Sequence, residues 1–270
     1  MEKWRVISAQ EHSAAVNMAM DEAILNSYVH GHTPPTIRFY TWKPAAISLG
    51  YFQNALSEID LDGCALGGVD IVRRLTGGRA VLHDQELTYS IIVGEEYHNM
   101  PKTVTASYAH LTRGLLTALQ NVGVQAEMAI PLQAYGNGAV KRKTSAACFD
   151  APAHYELTVD RRKLVGSAQV RRNGVILQHG SLLLDFDANK TLSVLKKKSS
   201  TLLDVLKAKV VSLKQLQAPT DIALLQQELV KGFEENLEIA TELGELSKSE
   251  LEIMPELVQK YSSENWNLKR

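Results

Sequence analysis

The stretch Arg73-Arg74-Leu75-Thr76-Gly77-Gly78-Arg79-Ala80-Val81-Leu82-His83-Asp84 has the make-up of a loop that approaches a ligand closely. Adjacent glycines let backbone amides come near a bound group and adopt conformations that a Cβ forbids. Arginines beside them can hold a carboxylate, a phosphate or a pantetheine phosphate. No Gly-Lys-Ser/Thr follows and no G-x-G-x-x-G is present, so neither a Walker A loop nor a dinucleotide fingerprint is encoded. On spacing alone the same residues also describe a surface turn with solvated arginines.

Two further segments carry reactive side chains. Cys148 lies in Ala146-Ala147-Cys148-Phe149-Asp150-Ala151-Pro152, where small residues before it and Asp-Ala-Pro after it suggest a loop leading into a strand. A free cysteine in that setting is either a buried hydrophobe or an accessible nucleophile. Cys64, in Asp62-Gly63-Cys64-Ala65-Leu66, has no comparable setting and reads as structural. Lys163 opens Lys163-Leu164-Val165-Gly166-Ser167-Ala168-Gln169, whose small residues leave room for a ligand. A lysine beside a turn is ordinarily a solvated charge. Turned inward under the glycine-rich loop, it would lower the pKa of a thiol or hold a carboxylate. His83 and His179 either shape a pocket or satisfy buried hydrogen bonds, and His154 reads as strand surface. With no His-Glu-x-x-His and no Cys-x-x-Cys, no metal site is expected. No Gly-x-Ser-x-Gly elbow marks a serine nucleophile.

The elements that must position these residues follow from patterning. Ser13 can cap a helix running through Asn26, with Val16, Met20, Ala23 and Ile24 near one face. β-rich runs occur at Thr36–Trp42, Ala46–Tyr51, Val69–Arg74 and Glu86–Val93, and a helix is expected from Thr105 to Val122, ended by Gly123. Pro131 to Ala147 reads as loop with a basic Lys141-Arg142-Lys143 patch. His154–Val159, Lys163–Val170 and Val175–Phe186 form an antiparallel meander, turned at Asp160-Arg161 and at Asn173-Gly174. From about Thr191 the chain reads as helical and charged, with an apolar face at Leu225, Leu229 and Phe233. Strands in a block flanked by helices predict an α+β fold with a mixed, largely antiparallel sheet.

Composition bounds the rest. The 270 residues carry a net charge of −1, with 45% hydrophobic and 22% charged residues. That excludes wholesale disorder and fibrous classes, and argues against a general nucleic-acid or membrane-surface binder. Two cysteines offer no disulfide framework. The N-terminal residues contain no apolar h-region and no run approaches a bilayer-spanning length, so a cytoplasmic protein is expected.

Taken together, the motifs resemble one family. Asn17-Met18-Ala19-Met20-Asp21-Glu22, Arg73-Arg74-x-x-Gly77-Gly78-x-x-Val81-x-His83-Asp84 and Lys163-x-x-Gly166-Ser167-Ala168-Gln169 are similar to the lipoate/biotin protein ligase superfamily, from roughly Trp4 to the closing Tyr261-Ser262-Ser263-x-x-Trp266-Asn267. Lipoate-protein ligases usually carry a third glycine where this chain has Arg79. The Ala147-Cys148-Phe149-Asp150-Ala151-Pro152 stretch, with Lys163 following, resembles the cysteine-dependent octanoyltransferases of the LipM type.

That resemblance implies a fold and a chemistry. It implies a single catalytic domain over residues 1–250 and a helical extension over 251–270. Cys148 would form an acyl-thioester and Lys163 would lower its pKa. Arg73, Gly77, Gly78, His83, Gly166, Ser167 and Ala168 would bind substrate. The donor would be octanoyl-acyl carrier protein and the acceptor a lysine of a lipoyl domain, with the glycine cleavage system H protein as the expected case. Neither metal nor other cofactor is expected, and the chain is taken as a monomer. Two related readings stay open: an ATP-dependent lipoate ligase in which Cys148 is idle, and an amidotransferase between lipoyl domains. A catalytically silent module that only docks lipoyl domains is a third.

Overall fold

The computed structural model describes residues 3–129 and 156–269. The first part runs β1 (Lys3–His12), α1 (Ala14–Val29), β2 (Thr36–Trp42), β3 (Ala46–Leu49), α2 (Ala55–Glu58), α3 (Leu61–Leu66), β4 (Asp70–Arg73), β5 (Val81–His83), β6 (Glu86–Gly94), α4 (Val104–Asn121) and β7 (Glu127–Met128). The second runs β8 (Leu157–Val159), β9 (Arg162–Arg172), β10 (Val175–Leu183), α5 (Ala188–Ser193), α6 (Ser200–Lys209), α7 (Ile222–Leu237), β11 (Ala240–Leu243), α8 (Lys248–Ser262) and α9 (Glu264–Asn267). Cys148, the Lys141-Arg142-Lys143 patch, His154 and the expected Pro131–Ala147 loop lie outside the described residues.

An eight-stranded sheet has the order β11-β1-β2-β6-β10-β9-β8-β7, and a three-stranded sheet the order β4-β3-β5. β1 is parallel to both β11 and β2, and every other pairing of the large sheet is antiparallel. The expected α+β fold with a mixed, largely antiparallel sheet is what the chain adopts.

Local chemistry explains several boundaries. β8, β9 and β10 form the expected meander. Asn173 and Gly174 take φ of 52° and 75°, and Asp160 and Arg161 take 50° and 61°. Positive φ at both central residues matches the strand twist in a two-residue hairpin. α4 is capped by Thr103, whose side chain accepts from the Ala106 N–H, and it stops before Gly123 at φ 84°.

Three expectations need correction. Ser13 occupies the N-cap position of α1, but its side chain makes no capping bond; the Asp70 carboxylate accepts from the Ala14 N–H at 3.4 Å. α1 is buried on nearly every side from Asn17 to Leu25, not along one stripe, because it lies between the sheet and α8. The chain after Thr191 is not purely helical: Ala240–Leu243 returns as β11 at the sheet edge.

Alternate residues of the central strands serve different faces, as strand geometry requires. Phe39, Tyr89 and Ile91 enter an apolar core with Leu111 and Leu115 of α4 and Phe233 of α7. Arg38, Ser90 and His179, paired across β2, β6 and β10, point the other way, toward α1 and the small sheet.

Candidate functional site

The second face is polar and almost wholly buried. Asp21 of α1 accepts from Arg38 Nη1 at 2.7 Å, from Ser90 Oγ at 2.9 Å and, through its other oxygen, from Tyr40 Oη at 2.9 Å. Arg38 also donates to Asn17 Oδ1 at 2.6 Å. Burial pushes the Asp21 carboxyl up, but His179 and Arg38 outweigh it and the net shift is downward. A buried ion pair of this kind survives because its remaining polar atoms are also bonded.

The glycine-rich loop between β4 and β5 is pinned to this face by two histidine relays that meet at Arg74. In one, Arg74 Nη1 donates to Ser48 Oγ at 3.0 Å, and Ser48 Oγ lies 2.7 Å from His83 Nε2, whose Nδ1 lies 2.8 Å from Glu86 Oε1. His83 is stacked on Trp42 at 4.2 Å. In the other, Arg74 Nε donates to Thr76 Oγ1 at 3.1 Å, and Thr76 Oγ1 lies 2.7 Å from His179 Nε2, with Asp21 Oδ2 3.5 Å from Nδ1. In the tautomers that complete both chains, each Nδ1–H donates to the carboxylate and each Nε2 accepts the hydroxyl proton. Burial holds the His179 pKa below the usual histidine value, against the pull of Asp21. Ser48, His83 and Glu86 have the connectivity of a nucleophilic triad. Ser48, however, is 1% exposed and its hydroxyl accepts from Arg74, so the chain serves to hold the loop.

The loop itself needs its glycines. A Cβ on Gly50 would sit 2.0 Å from the Gly78 carbonyl oxygen, and Gly78 has φ 97°. Arg74 Nη2 completes the turn by donating to the Gly77 and Arg79 carbonyls at 2.9 and 2.8 Å.

Arg73, expected to bind substrate, is directed elsewhere. Its guanidinium donates to the carbonyls of Gly50, Tyr51 and Gln53 and, from its other nitrogens, to those of Trp266 and Asn267. Those bonds clasp α9 to the loop after β3, so Arg73 shapes the site through the backbone it holds. His83 likewise works beneath the loop.

Lys163 is turned inward. Its Nζ donates to Glu156 Oε1 at 2.5 Å, and the two side chains are 11% and 4% exposed. The ammonium passes over Gly166, where a Cβ would meet Lys163 Cε at 2.4 Å and Nζ at 2.6 Å. In a regular strand, residues three apart point to opposite faces. Here Leu157 pairs with Val165 while Thr158 pairs with Lys163, so β9 carries one additional residue and the bulge re-aims the lysine. Gly166 and Ala168 share the His179 face of the sheet, paired with Ser181 and His179. Ser167 does not: its Oγ meets Tyr89 Oη at 2.8 Å and its carbonyl accepts from Tyr108 Oη at 3.1 Å, both on the apolar side. The Ser167 side chain thus lies on the opposite face from Gly166 and Ala168.

Sequence reasoning named Lys163, Arg73, Gly77, Gly78, His83, Gly166, Ser167 and Ala168 as site residues; of these, Lys163, Gly166 and Ala168 lie on the face to which the Gly77–Gly78 loop is pinned. It assigned no role to Asp21, Arg38, Ser48 or Glu156, which close the hydrogen bonds there. Asp21 was visible in the Asn17–Glu22 motif; the others carry no local signal. Cys64 is 1% exposed in α3, and burial first, with Asp60 adding, pushes its thiol up to about 11. That suits an inert core residue. Among the described residues, no group of His, Cys, Asp and Glu is placed to hold a metal ion, and no helix is long and apolar enough to cross a membrane.

Comparison with known proteins gives this geometry a context. The profile of the lipoyl protein ligase A/B catalytic domain matches residues 13–234. Octanoyltransferase LipM of Clostridioides difficile is 42% identical over 276 residues, covering 100% of both chains. Octanoyltransferase LipM of Bacillus subtilis is 44% identical over 275 residues, covering 100% of this chain and 99% of its own. In three dimensions, a lipoate-protein ligase A crystallised with ATP superposes with a TM-score of 0.80, at 25% identity and 99% coverage of each chain. The profile match and the full-length identities together show that the chain belongs to the lipoyl protein ligase A/B catalytic-domain family, on its LipM octanoyltransferase branch.

Proposed function

We propose that the chain transfers an octanoyl group from octanoyl-acyl carrier protein to a lysine of a lipoyl domain, the glycine cleavage H protein being the expected acceptor, through a thioester on Cys148. The observation that carries this reading is Lys163, whose ammonium is drawn inward over Gly166 on the face that also holds the glycine loop. The full-length relatives named as octanoyltransferases support it.

The chemistry splits one difficult encounter into two. The Cys148 thiolate attacks the donor thioester, a C–S bond forms, and the carrier's thiolate leaves. The acceptor amine then attacks the new thioester, an amide forms, the cysteine departs as thiolate, and the amine proton goes to solvent or base. Donor and acceptor visit in turn, and the thioester retains its activation throughout, so no nucleotide is consumed. A free thiol near pKa 8.5 is only about a tenth ionised at pH 7.5; a drop of ~1.5 units from a nearby ammonium makes it roughly three-quarters thiolate. Residues 251–270 fit the same reading as an extension, clasped to the loop after β3 through Arg73.

The deciding experiment supplies purified protein, an apo lipoyl domain and one of two donors: octanoyl-acyl carrier protein, or octanoate with ATP and magnesium. Intact mass of both proteins is read with and without hydroxylamine, which cleaves thioesters. The expected result is a hydroxylamine-sensitive octanoyl adduct on this chain and acceptor modification with the first donor alone. Efficient modification from octanoate, strictly dependent on ATP, overturns the reading in favour of a ligase. An octanoylated lipoyl domain acting as the better donor would favour an amidotransferase instead.

A further inference from the structure

The polar face of β10 carries a hydroxyl that the fold leaves without a partner. Ser181 is 5% exposed, and its Oγ makes no hydrogen bond among the described residues. Buried polar groups are almost always paired, and each exception asks for an explanation. The neighbouring hydroxyls on this face are engaged: Thr88 Oγ1 accepts from Trp42 Nε1 and donates to Glu86, and Ser90 Oγ donates to Asp21. Glu86 Oε2 is also unpartnered, but it is an acceptor and cannot meet developing negative charge.

The register fixes where Ser181 points. It stands directly opposite Gly166 on β9, and directly opposite antiparallel residues share a face with Cβ positions about 5 Å apart. The Cβ position of Gly166 is where Lys163 Nζ comes within 2.6 Å. Ser181 and the Lys163 ammonium therefore lie on the same face beside Gly166, whose missing side chain makes room for the end of the lysine. Two residues earlier on β10, His179 holds Thr76 of the glycine loop. The hydroxyl thus lies between the loop's anchor and the lysine.

We propose that Ser181 Oγ–H donates a hydrogen bond to the carbonyl oxygen of the acyl group as it is transferred. This rests on the acyl-transfer reading above. When a thiolate sulfur bonds to the carbonyl carbon, the π pair moves onto oxygen, and a preorganised O–H in a water-poor site meets that charge without reorganising. When the adduct collapses, the pair returns, the C–S bond to the donor breaks, and the departing thiolate takes a proton from solvent. A donor kept free of internal partners is what such a site requires, and its cost to the folded state is the reason folding alone would not retain it.

The test uses the full chain as wild type, Ser181→Ala and Ser181→Thr. Three quantities are read: single-turnover acylation by octanoyl-acyl carrier protein, alkylation of the same thiol by iodoacetamide, and thermal midpoint. Iodoacetamide reacts at a methylene and develops no oxyanion, so it reports on the thiol alone. Ser181→Ala is expected to slow acylation about a hundredfold, to leave alkylation within about twofold, and not to lower the midpoint. Ser181→Thr keeps the hydroxyl and is expected to recover most of the lost rate. Unchanged acylation in the alanine variant overturns the inference. So does a parallel fall in acylation, alkylation and midpoint, which marks a structural serine. A wild-type protein that takes no acyl group removes the acyl-transfer reading itself, and this inference with it.

Discussion

On one face of the large sheet, Phe39, Tyr89 and Ile91 meet the apolar sides of α4 and α7. On the other, Arg38 and Ser90, one step along the same strands, and His179 beside them on β10 meet Asp21 and Thr76. The first face is held by contact area, which is non-directional and tolerates small rearrangements. The second is held by hydrogen bonds whose geometry must be met, and a closed network of that kind fixes its members in place. The loop that carries Gly77 and Gly78 is attached to the second face through His83 and His179. The sheet therefore separates stability from positioning: one side supplies the core, and the other holds the groups that can meet a substrate.

The largest expected effect falls where the chemistry is assigned. Cys148→Ala should lower acyl transfer by at least about a thousandfold, as loss of a covalent nucleophile does. Cys64→Ala, which removes a thiol buried in the small sheet's core, should leave transfer near wild type. Steady transfer rates for both variants measure the contrast. A Cys148→Ala protein with full activity would remove the covalent route.

The two faces should then fail in different ways. Asp21→Ala leaves the Arg38 guanidinium buried without its carboxylate, which costs about 3–5 kcal/mol. It also frees Ser90, Tyr40 and the His179 relay, so transfer should fall with stability. Gly114→Ala, on the opposite face, drives a Cβ to 2.3 Å from Phe233 Cδ1. Overpacking of that kind costs about 1–3 kcal/mol, but transfer by the folded fraction should persist. Denaturant unfolding together with transfer rates at low temperature separates the two. Equal loss of rate per folded molecule in both variants would erase the distinction between the faces.

A smaller effect tests the link between Lys163 and the thiol. Lys163→Ala removes a nearby positive charge, so the apparent thiol pKa should rise by about 1 unit or more and alkylation near pH 7 should slow about tenfold. Iodoacetamide rates against pH measure this. Superimposable profiles would return Lys163 to a structural ion pair with Glu156.

What could be read ahead of the structure divides along the same line. β2 is found at its expected bounds, Thr36–Trp42, because its residues are nearly all buried and β-rich. The meander was legible because Asn173-Gly174 permits one kind of turn. β1 was not. Its polar second half breaks the alternation, and its partners β2 and β11 lie in parallel at long sequence separation. β11 was hidden for a similar reason, being short, partly exposed and set between helical segments. In the site, Lys163 and the glycines had local context and a family pattern. Glu156, Ser48 and Ser181 had neither, since each acquires its meaning from a cross-strand neighbour or from the bulge in β9.

The smallest effect concerns pH, and it bears on the anchor of the glycine loop. Burial depresses the His179 pKa in the folded chain, whereas the unfolded chain titrates near 6.5. Between those values the unfolded state binds the extra proton and the native state does not. Stability is therefore complete above about pH 6.5 and declines as pH falls toward the depressed native value, by at most about 1.4 kcal/mol per pH unit. His179→Gln keeps a side chain able to pair with the Thr76 hydroxyl but removes the titration. Urea unfolding of both proteins from pH 8 to pH 5 should give parallel stabilities above neutrality and a steeper decline for wild type below pH 6.5. His12 and His110, also depressed by partial burial, are present in both proteins and cancel from the difference. In the wild-type chain Asp21 is held below the usual carboxylate range, with His179 and Arg38 outweighing its burial. Identical slopes would mean that His179 takes up its proton at the same pH folded and unfolded. The relay from Arg74 through Thr76 would then not depend on a neutral imidazole, and the closed network on this face would be looser than its bond lengths imply.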